Sequence, residues 1–96
     1  MKDSVVRGRL LQLLYDRREQ GPLPFGGGEE AIAPPGGIDR RAWLHALAEL
    51  ADHEFVSWES HPGETGAMAG RAKITEQGVE VVEGRVTPEI AIRLSC

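Results

Sequence analysis

The apolar residues between positions 38 and 83 change their spacing twice, and this restricts the fold more than any other feature of the chain. Residues 39–53 carry apolar side chains at helical spacing, residues 55–58 and 67–74 alternate, and residues 76–83 return to helical spacing. A two-stranded hairpin on its own is at best marginally stable in water, so these strands have to pack on the helices. The sequence therefore predicts an α+β fold in which helices support a hairpin.

Segment 39–53 is the strongest predicted helix, with Asp39 as a suitable N-cap and an end near His53. Its apolar side gathers five residues: Trp43, Leu44, Leu47, Leu50 and Ala51. Its polar side carries Arg41, His45, Glu49 and Asp52, with Arg40 in the exposed first turn. We expect the apolar side to fill the core, and the polar side is the candidate functional face.

The stretch "RAKITEQGVEVVEG" joins the second strand to a short helix. Arg71 and Lys73 alternate with apolar residues, so one side of the strand is basic and the other is predicted to pack on the helices. Thr75 is a suitable N-cap for the helix that follows, and Gly84 a suitable end. The inward residues of the hairpin are predicted to be Val56, Trp58, Ala72 and Ile74.

The N-terminal segment predicts a further helix, capped by Asp3 or Ser4 and ended by Gly21. Its apolar side consists of Val6, Leu10, Leu13 and Leu14, and Arg7 is expected outside that side.

Residues 22–37 follow, and the stretch from Gly21 to Gly37 holds four of the six prolines and six glycines. It is predicted to be a loop with at most a short helical turn around Glu29 to Ala33. Its glycine run lacks the Gly-Lys-Ser or Gly-Lys-Thr that a phosphate-binding loop requires.

The predicted order of helix, loop, helix, hairpin and helix is the layout of a winged helix-turn-helix. "WLHALAELADHEFVSWE" and "AKITEQGVEVVEG" resemble the recognition helix, wing and closing helix of ArsR- and MarR-like bacterial regulators, and "VVEGRVTPEI" is similar to small ArsR-like proteins of Mu-like prophages. The resemblance implies one winged-helix domain over residues 1–96, with three to four helices, a β-hairpin wing and a C-terminal tail at 85–96. Where such proteins usually have glycine after the recognition helix, this chain has Glu54, which must adopt a left-handed conformation or end the helix differently.

The resemblance further implies a cytoplasmic transcriptional regulator that binds double-stranded DNA. Helix 39–53 would enter the major groove and wing 56–74 would contact phosphates. The residues expected to do this are Arg40, Arg41 and His45 on the helix, and Arg71 and Lys73 on the wing. The alternating tail 85–96 is expected to be a strand or an arm that lies on its own domain or on a second subunit. Such regulators are commonly homodimers, and we expect a homodimer with the tail or the first helix at the interface.

The main alternative is a protein–protein interaction module with the same fold and no DNA binding. The net charge of −4 and the mixed charges on helix 39–53 favour that alternative. His45, Glu49 and His53 have a spacing that could begin a zinc site, with His61 as a distant ligand, but no cysteine cluster or His-Glu-x-x-His motif supports one. We therefore expect no metal, no cofactor, no catalytic activity and no membrane segment.

Overall fold

The computed structural model describes residues 2–25, 32, 34, 36–60 and 70–94 of the chain. Within them lie three α-helices, α1 (Asp3–Asp16), α2 (Arg40–Asp52) and α3 (Glu76–Val82), and three strands, β1 (Leu23–Phe25), β2 (Val56–Ser60) and β3 (Gly70–Ile74). A 3₁₀ helix at Arg18–Gln20 follows α1. The order α1, β1, α2, β2, β3, α3 confirms the predicted α+β class.

The strands form one antiparallel sheet in the order β1–β3–β2. Ala72 of β3 lies opposite Leu23 on one side and Trp58 on the other. Strand β1 falls in the stretch predicted to be loop, so the prediction of a two-stranded hairpin was incomplete. Leu23 and Phe25 are buried on either side of Pro24, and proline is tolerated here because β1 is an edge strand. The short helical turn predicted around Glu29 to Ala33 lies outside the described residues, apart from Ile32, whose N–H donates to the Pro24 carbonyl at 2.8 Å.

The core lies between α1, α2 and the inner face of the sheet. Its members come from every element except the 3₁₀ helix, and they include Val6, Leu10, Leu11, Leu14, Phe25, Trp43, Leu47, Leu50, Val56, Ala72, Ile74 and Val81. Trp43 is 1% exposed and its ring centroid lies 6.3 Å from that of Phe25. The predicted inward residues Val56, Ala72 and Ile74 are buried, and Trp58 packs against the core while partly exposed.

The N-cap of helix α1 lies one residue before the first of the two predicted caps, Asp3 and Ser4. Lys2 is the N-cap and has no side-chain capping bond, while its carbonyl accepts from the N–H groups of Val5 and Val6 at 3.0 and 3.2 Å. Asp3 therefore lies in the first turn, where its carboxylate still complements the helix dipole. At the other end the chain passes through the 3₁₀ turn to Gly21, which has a φ of 81°.

Helix α2 ends in a Schellman motif built around a residue other than glycine. The N–H of Phe55 donates to the Leu50 carbonyl and that of Glu54 to the Ala51 carbonyl, both at 3.0 Å. Glu54 has a φ of 64°, so of the two alternatives expected for this position the left-handed conformation is the one observed. An L-residue has a steric penalty in this region because Cβ approaches the following carbonyl oxygen.

Helix α3 also ends in a Schellman motif, and here the left-handed residue is a glycine, Gly84. The N–H of Arg85 donates to the Glu80 carbonyl at 2.8 Å, and Gly84, with a φ of 80°, donates to the Val81 carbonyl at 3.1 Å. Thr75 caps the other end, where its hydroxyl accepts from the N–H of Gly78 at 3.2 Å. The predicted start and end of this helix are both confirmed.

Replacing Glu54 with glycine is expected to stabilise the protein. The left-handed penalty of about 1–2 kcal/mol is removed, while the greater freedom of glycine in the unfolded chain offsets about 0.5–1 kcal/mol. A net gain of about 0.5–1 kcal/mol should raise Tm by about 2–8 °C, measured by thermal unfolding.

The matched control is Gly84→Ala, since a Cβ at Gly84 meets nothing within 4 Å and only the positive φ is tested. This variant should lose about 0.5–1 kcal/mol. A Glu54→Gly protein no more stable than the original chain would contradict the assignment of strain to Glu54.

The C-terminal segment lies against α1 of the same chain. The N–H of Arg93 donates to the Ser4 carbonyl at 2.9 Å, and Ile90 and Ile92 pack on the core. Gly8 permits this approach, because a Cβ at that position would overlap the Arg93 carbonyl. Residues 85–94 are irregular, so of the two predicted conformations, strand or arm, the described part of the tail is an arm on its own domain.

Tyr15 ties the end of α1 to the end of α3. Its hydroxyl donates to Oε2 of Glu83 at 2.8 Å, and the Arg18 guanidinium lies 4.1 Å from the centre of its ring. The hydrogen bond to the Glu83 carboxylate raises the pKa of Tyr15, because the carboxylate stabilises the protonated phenol.

Candidate nucleic-acid interface

The first half of α2 presents its cations to solvent. Asp39 caps the helix by accepting from the N–H of Ala42 at 2.7 Å, which fixes where the first turn begins. Arg40, Arg41 and His45 are all exposed, as the helical spacing predicted. Trp43 on the opposite side is buried and fixes the rotation of the helix about its own axis.

Glu49 does not belong to this exposed face, although its spacing placed it there. Its Oε1 and Oε2 accept from one guanidinium nitrogen of Arg7 at 3.1 and 3.0 Å. The side chains of Arg7 and Glu49 are 11% and 30% exposed. The expectation that Arg7 lies outside the apolar side of α1 was therefore wrong, because the C-terminal segment covers this part of α1 and the Ala91 carbonyl accepts from Nε of Arg7 at 2.9 Å.

His45 continues this contact to the surface. Its Nδ1 lies 3.1 Å from Oε1 of Glu49, and its side chain is 68% exposed. Arg7, Glu49 and His45 thus form a connected series, here called the Arg7–His45 relay, that runs from a buried guanidinium to an exposed imidazole. The sequence spacing of His45 and Glu49 indicated that they share one face of the helix. Arg7 has a local signal too, because Leu10, Leu11 and Leu14 follow it at the i+3, i+4 and i+7 positions and all three are buried.

The zinc arrangement considered from the sequence does not form in the described residues. His53 stacks on Phe55 with ring centroids 6.1 Å apart, and His61 lies outside the described residues. In the ranges that the structure describes, no group of three or more His, Cys, Asp or Glu side chains could hold a metal ion.

The outer face of the sheet carries the two cations of the predicted wing. Arg71 and Lys73 are exposed, whereas Gly70, Ala72 and Ile74 between and beside them are buried. Their cross-strand neighbours on β2 are Glu59, opposite Arg71, and Ser57, opposite Lys73. The face is therefore basic along β3 and acidic at one position of β2. The turn of the predicted wing, residues 61–69, lies outside the described residues.

A clamp between α2 and α3 fixes β3 relative to α2. The Thr75 hydroxyl donates to the Glu54 carbonyl at 2.6 Å, and the Thr75 N–H donates to the Phe55 carbonyl at 3.1 Å. Gly78 brings α3 against the same Phe55 carbonyl, where a Cβ would overlap it. The Ile-Thr-Glu-Gln-Gly motif therefore has a structural role in this chain, which is to join the end of α2 to the start of α3.

The chain matches no protein-family model, no curated protein and no solved structure. Its geometry is consequently the basis for any function assigned to it. Among the helices of the described residues, none combines the length and apolar character needed to cross a membrane.

Proposed function

We propose that this chain is a winged-helix DNA-binding protein and a cytoplasmic transcriptional regulator. In this proposal α2 enters the major groove and the outer face of β3 contacts phosphates. The supporting observation is the element order α1, β1, α2, β2, β3, α3 with β1 paired to β3, together with exposed cations on α2 and β3. This arrangement is compatible with a winged helix whose recognition helix is α2.

The distribution of charge along α2 supports the proposal. Arg40 and Arg41 lie in the first turn, and the Arg7 guanidinium offsets the charge of Glu49. Asp52 is exposed, but at 1.5 Å per residue it lies about 18 Å along the axis from Arg40. A helix that enters the groove with its N-terminal half would keep Asp52 away from the phosphates.

The side chains on this surface have suitable chemistry for DNA. Arginine binds the O6 and N7 atoms of guanine in bidentate fashion, which gives Arg40 and Arg41 a specific target in the major groove. Arg71 and Lys73 would bind phosphate, which positions the protein without reading sequence. In the described residues neither of these two takes part in an ion pair.

The proposal predicts that Arg40→Ala combined with Arg41→Ala weakens DNA binding by at least about tenfold. The measurement is a gel shift with DNA from upstream of the protein's own coding sequence, at two salt concentrations. Wild-type binding should weaken as salt rises, because phosphate contacts release counterions.

The matched control is Arg9→Ala combined with Arg17→Ala, which also removes two positive charges, one from an exposed position of α1 and one from its exposed C-cap. Equal weakening in both double variants would show a bulk charge effect and contradict a groove contact by α2. Full retention of binding by the Arg40 and Arg41 variant would exclude α2 from the interface.

The alternative is a winged-helix protein–protein interaction module, and the pairing of Glu59 with Arg71 favours it. An acid directly across from Arg71 repels phosphate, and the chain as a whole is acidic, with a net charge of −4. This alternative predicts no retardation of any duplex even at low salt.

A homodimer remains part of the proposal, as a prediction from the resemblance. The described tail lies on α1 of its own chain. The tail and α1, the two surfaces expected at the dimer interface, therefore cover part of each other. Sedimentation of a monomer at high micromolar concentration would contradict the dimer.

A further inference from the structure

We infer that His45 selects a base in the major groove by accepting a hydrogen bond from an exocyclic amino group, adenine N6 or cytosine N4. The inference rests on the proposed function, because it names what one residue of the same surface recognises. It is carried by the Arg7–His45 relay, which holds Nδ1 of the imidazole 3.1 Å from a carboxylate oxygen and leaves Nε2 directed away from it.

The location of the proton follows from the contact with Glu49. Nδ1 of His45 lies 3.1 Å from Oε1 of Glu49, and an ionised carboxylate can only accept hydrogen bonds. A proton on Nδ1 of the neutral ring makes this contact favourable, whereas an unprotonated Nδ1 would turn its lone pair toward the carboxylate oxygen. The other nitrogen, Nε2, then has a free lone pair and is an acceptor.

The orientation of the ring follows from the two residues behind it. Glu49 is held by two contacts of 3.0 and 3.1 Å to the Arg7 guanidinium, and Arg7 is held in turn by the Ala91 carbonyl at 2.9 Å. Charge-assisted contacts of this kind are stronger than neutral ones. His45 is exposed yet oriented from the core, so less side-chain freedom is lost when it binds.

As an acceptor, Nε2 of the neutral His45 ring cannot bind most of the DNA groups that arginine and lysine bind. The phosphate oxygens and guanine O6 and N7 are themselves acceptors, so the neutral Nε2 cannot bind them. In the major groove the amino groups of adenine and cytosine are the donors that remain. His45 thus complements Arg40 and Arg41, which donate and suit guanine.

The first test uses the free protein and needs no DNA. In the two-bond ¹H–¹⁵N NMR spectrum at pH 8, the His45 ring should show a protonated Nδ1 and an unprotonated Nε2. His53, which is half-buried, serves as the comparison, since its ring stacks on Phe55 and forms no ion pair among the described residues. The opposite tautomer at His45 would overturn the inference.

The second test is selection of bound duplexes from a random pool at pH 8, with wild type, His45→Ala, His45→Lys and the Arg40, Arg41 double alanine variant. His45→Ala should lose about tenfold of preference at one adenine or cytosine position and leave the slope of affinity against salt unchanged. His45→Lys, a donor without an acceptor, should shift that position toward guanine.

The outcomes separate the inference from the proposed function. If wild type enriches no duplex, the proposed function fails and the inference fails with it. If wild type enriches a sequence and His45→Ala enriches the same sequence with the same preference at every position, only the inference is overturned. A reduced salt slope in His45→Ala would show a phosphate contact and would also overturn it.

Discussion

Gly78→Ala is expected to lower the free energy of unfolding by about 3 kcal/mol, the upper range for inserting an atom into a packed site. A Cβ at Gly78 would overlap the Phe55 carbonyl and lie 2.6 Å from Cγ1 of Ile74. The Phe55 carbonyl cannot withdraw freely, because it accepts from the Thr75 N–H at 3.1 Å. The substitution therefore disturbs the clamp between α2 and α3.

Helix propensity alone predicts that Gly78→Ala stabilises the protein. The experiment therefore decides between helix propensity and the overlap with the Phe55 carbonyl. Alanine is favoured over glycine inside a helix by about 1 kcal/mol. Urea unfolding of Gly78→Ala should nevertheless show a lower free energy of unfolding than that of the wild type, and Tm should fall by about 12–24 °C.

The control for this prediction is Gln77→Ala, which changes the exposed neighbour in the same turn of α3. Its effect should stay within about 0.5 kcal/mol. A Gly78→Ala protein as stable as wild type would mean that α3 does not approach the Phe55 carbonyl.

Glu49→Leu is expected to cost about 2–3 kcal/mol, below the usual range for a buried ion pair because Glu49 is 30% exposed. The variant leaves the Arg7 guanidinium, 11% exposed, with the Ala91 carbonyl as its acceptor and no counter-charge. Arg7→Met should cost less, about 1 kcal/mol, because Glu49 can still reach solvent and its contact with His45 remains.

A double-mutant cycle measures the coupling directly. Combining Arg7→Met with Glu49→Leu replaces both charges by apolar side chains, and such replacements are often neutral or stabilising. The double variant should therefore be more stable than Glu49→Leu alone, with a coupling energy of about 1–3 kcal/mol from urea unfolding. Additive losses would show that the two side chains do not stabilise each other.

Much of the local structure was predictable because its causes lie within a few residues. The N-cap roles of Asp39 and Thr75 each depend on an N–H three residues ahead. The ends at Glu54 and Gly84 depend on carbonyls of the preceding turn. Periodicity likewise identified α2, the two hairpin strands and most of the buried residues.

Strand β1 was not predictable from the sequence because its stability depends on contacts with distant parts of the chain. Three residues around a proline have too little pattern to indicate a strand, and β1 exists through its pairing with β3 and the burial of Leu23 and Phe25. The N-cap of α1 is Lys2, one residue before the first predicted cap, for a related reason. The capping pattern favoured Asp3 or Ser4, yet no side chain caps the helix.

The candidate site also contains residues that were predictable from local spacing and residues that were not. Helical and strand spacing correctly placed Arg40, Arg41, His45, Arg71 and Lys73 at the surface. Spacing also placed Glu49 with them, because periodicity reports which way a side chain leaves its own helix and not what covers it. Arg7 has the spacing of a buried position, but its charge favours the surface unless a partner is present, and that partner lies on another helix. The contact between Arg7 and Glu49 joins residues 42 positions apart.

The amino-acid sequence by itself determined the helices, the hairpin strands and the caps of α2 and α3, and it restricted Glu54 to two alternatives, since each of these depends on nearby backbone groups and on the spacing of apolar side chains. Only the tertiary structure decided that β1 completes the sheet, that the tail covers α1, and that Arg7 holds Glu49 and His45. These features require segments distant in the chain to meet, and the free energy of their contacts exists only once the core has formed.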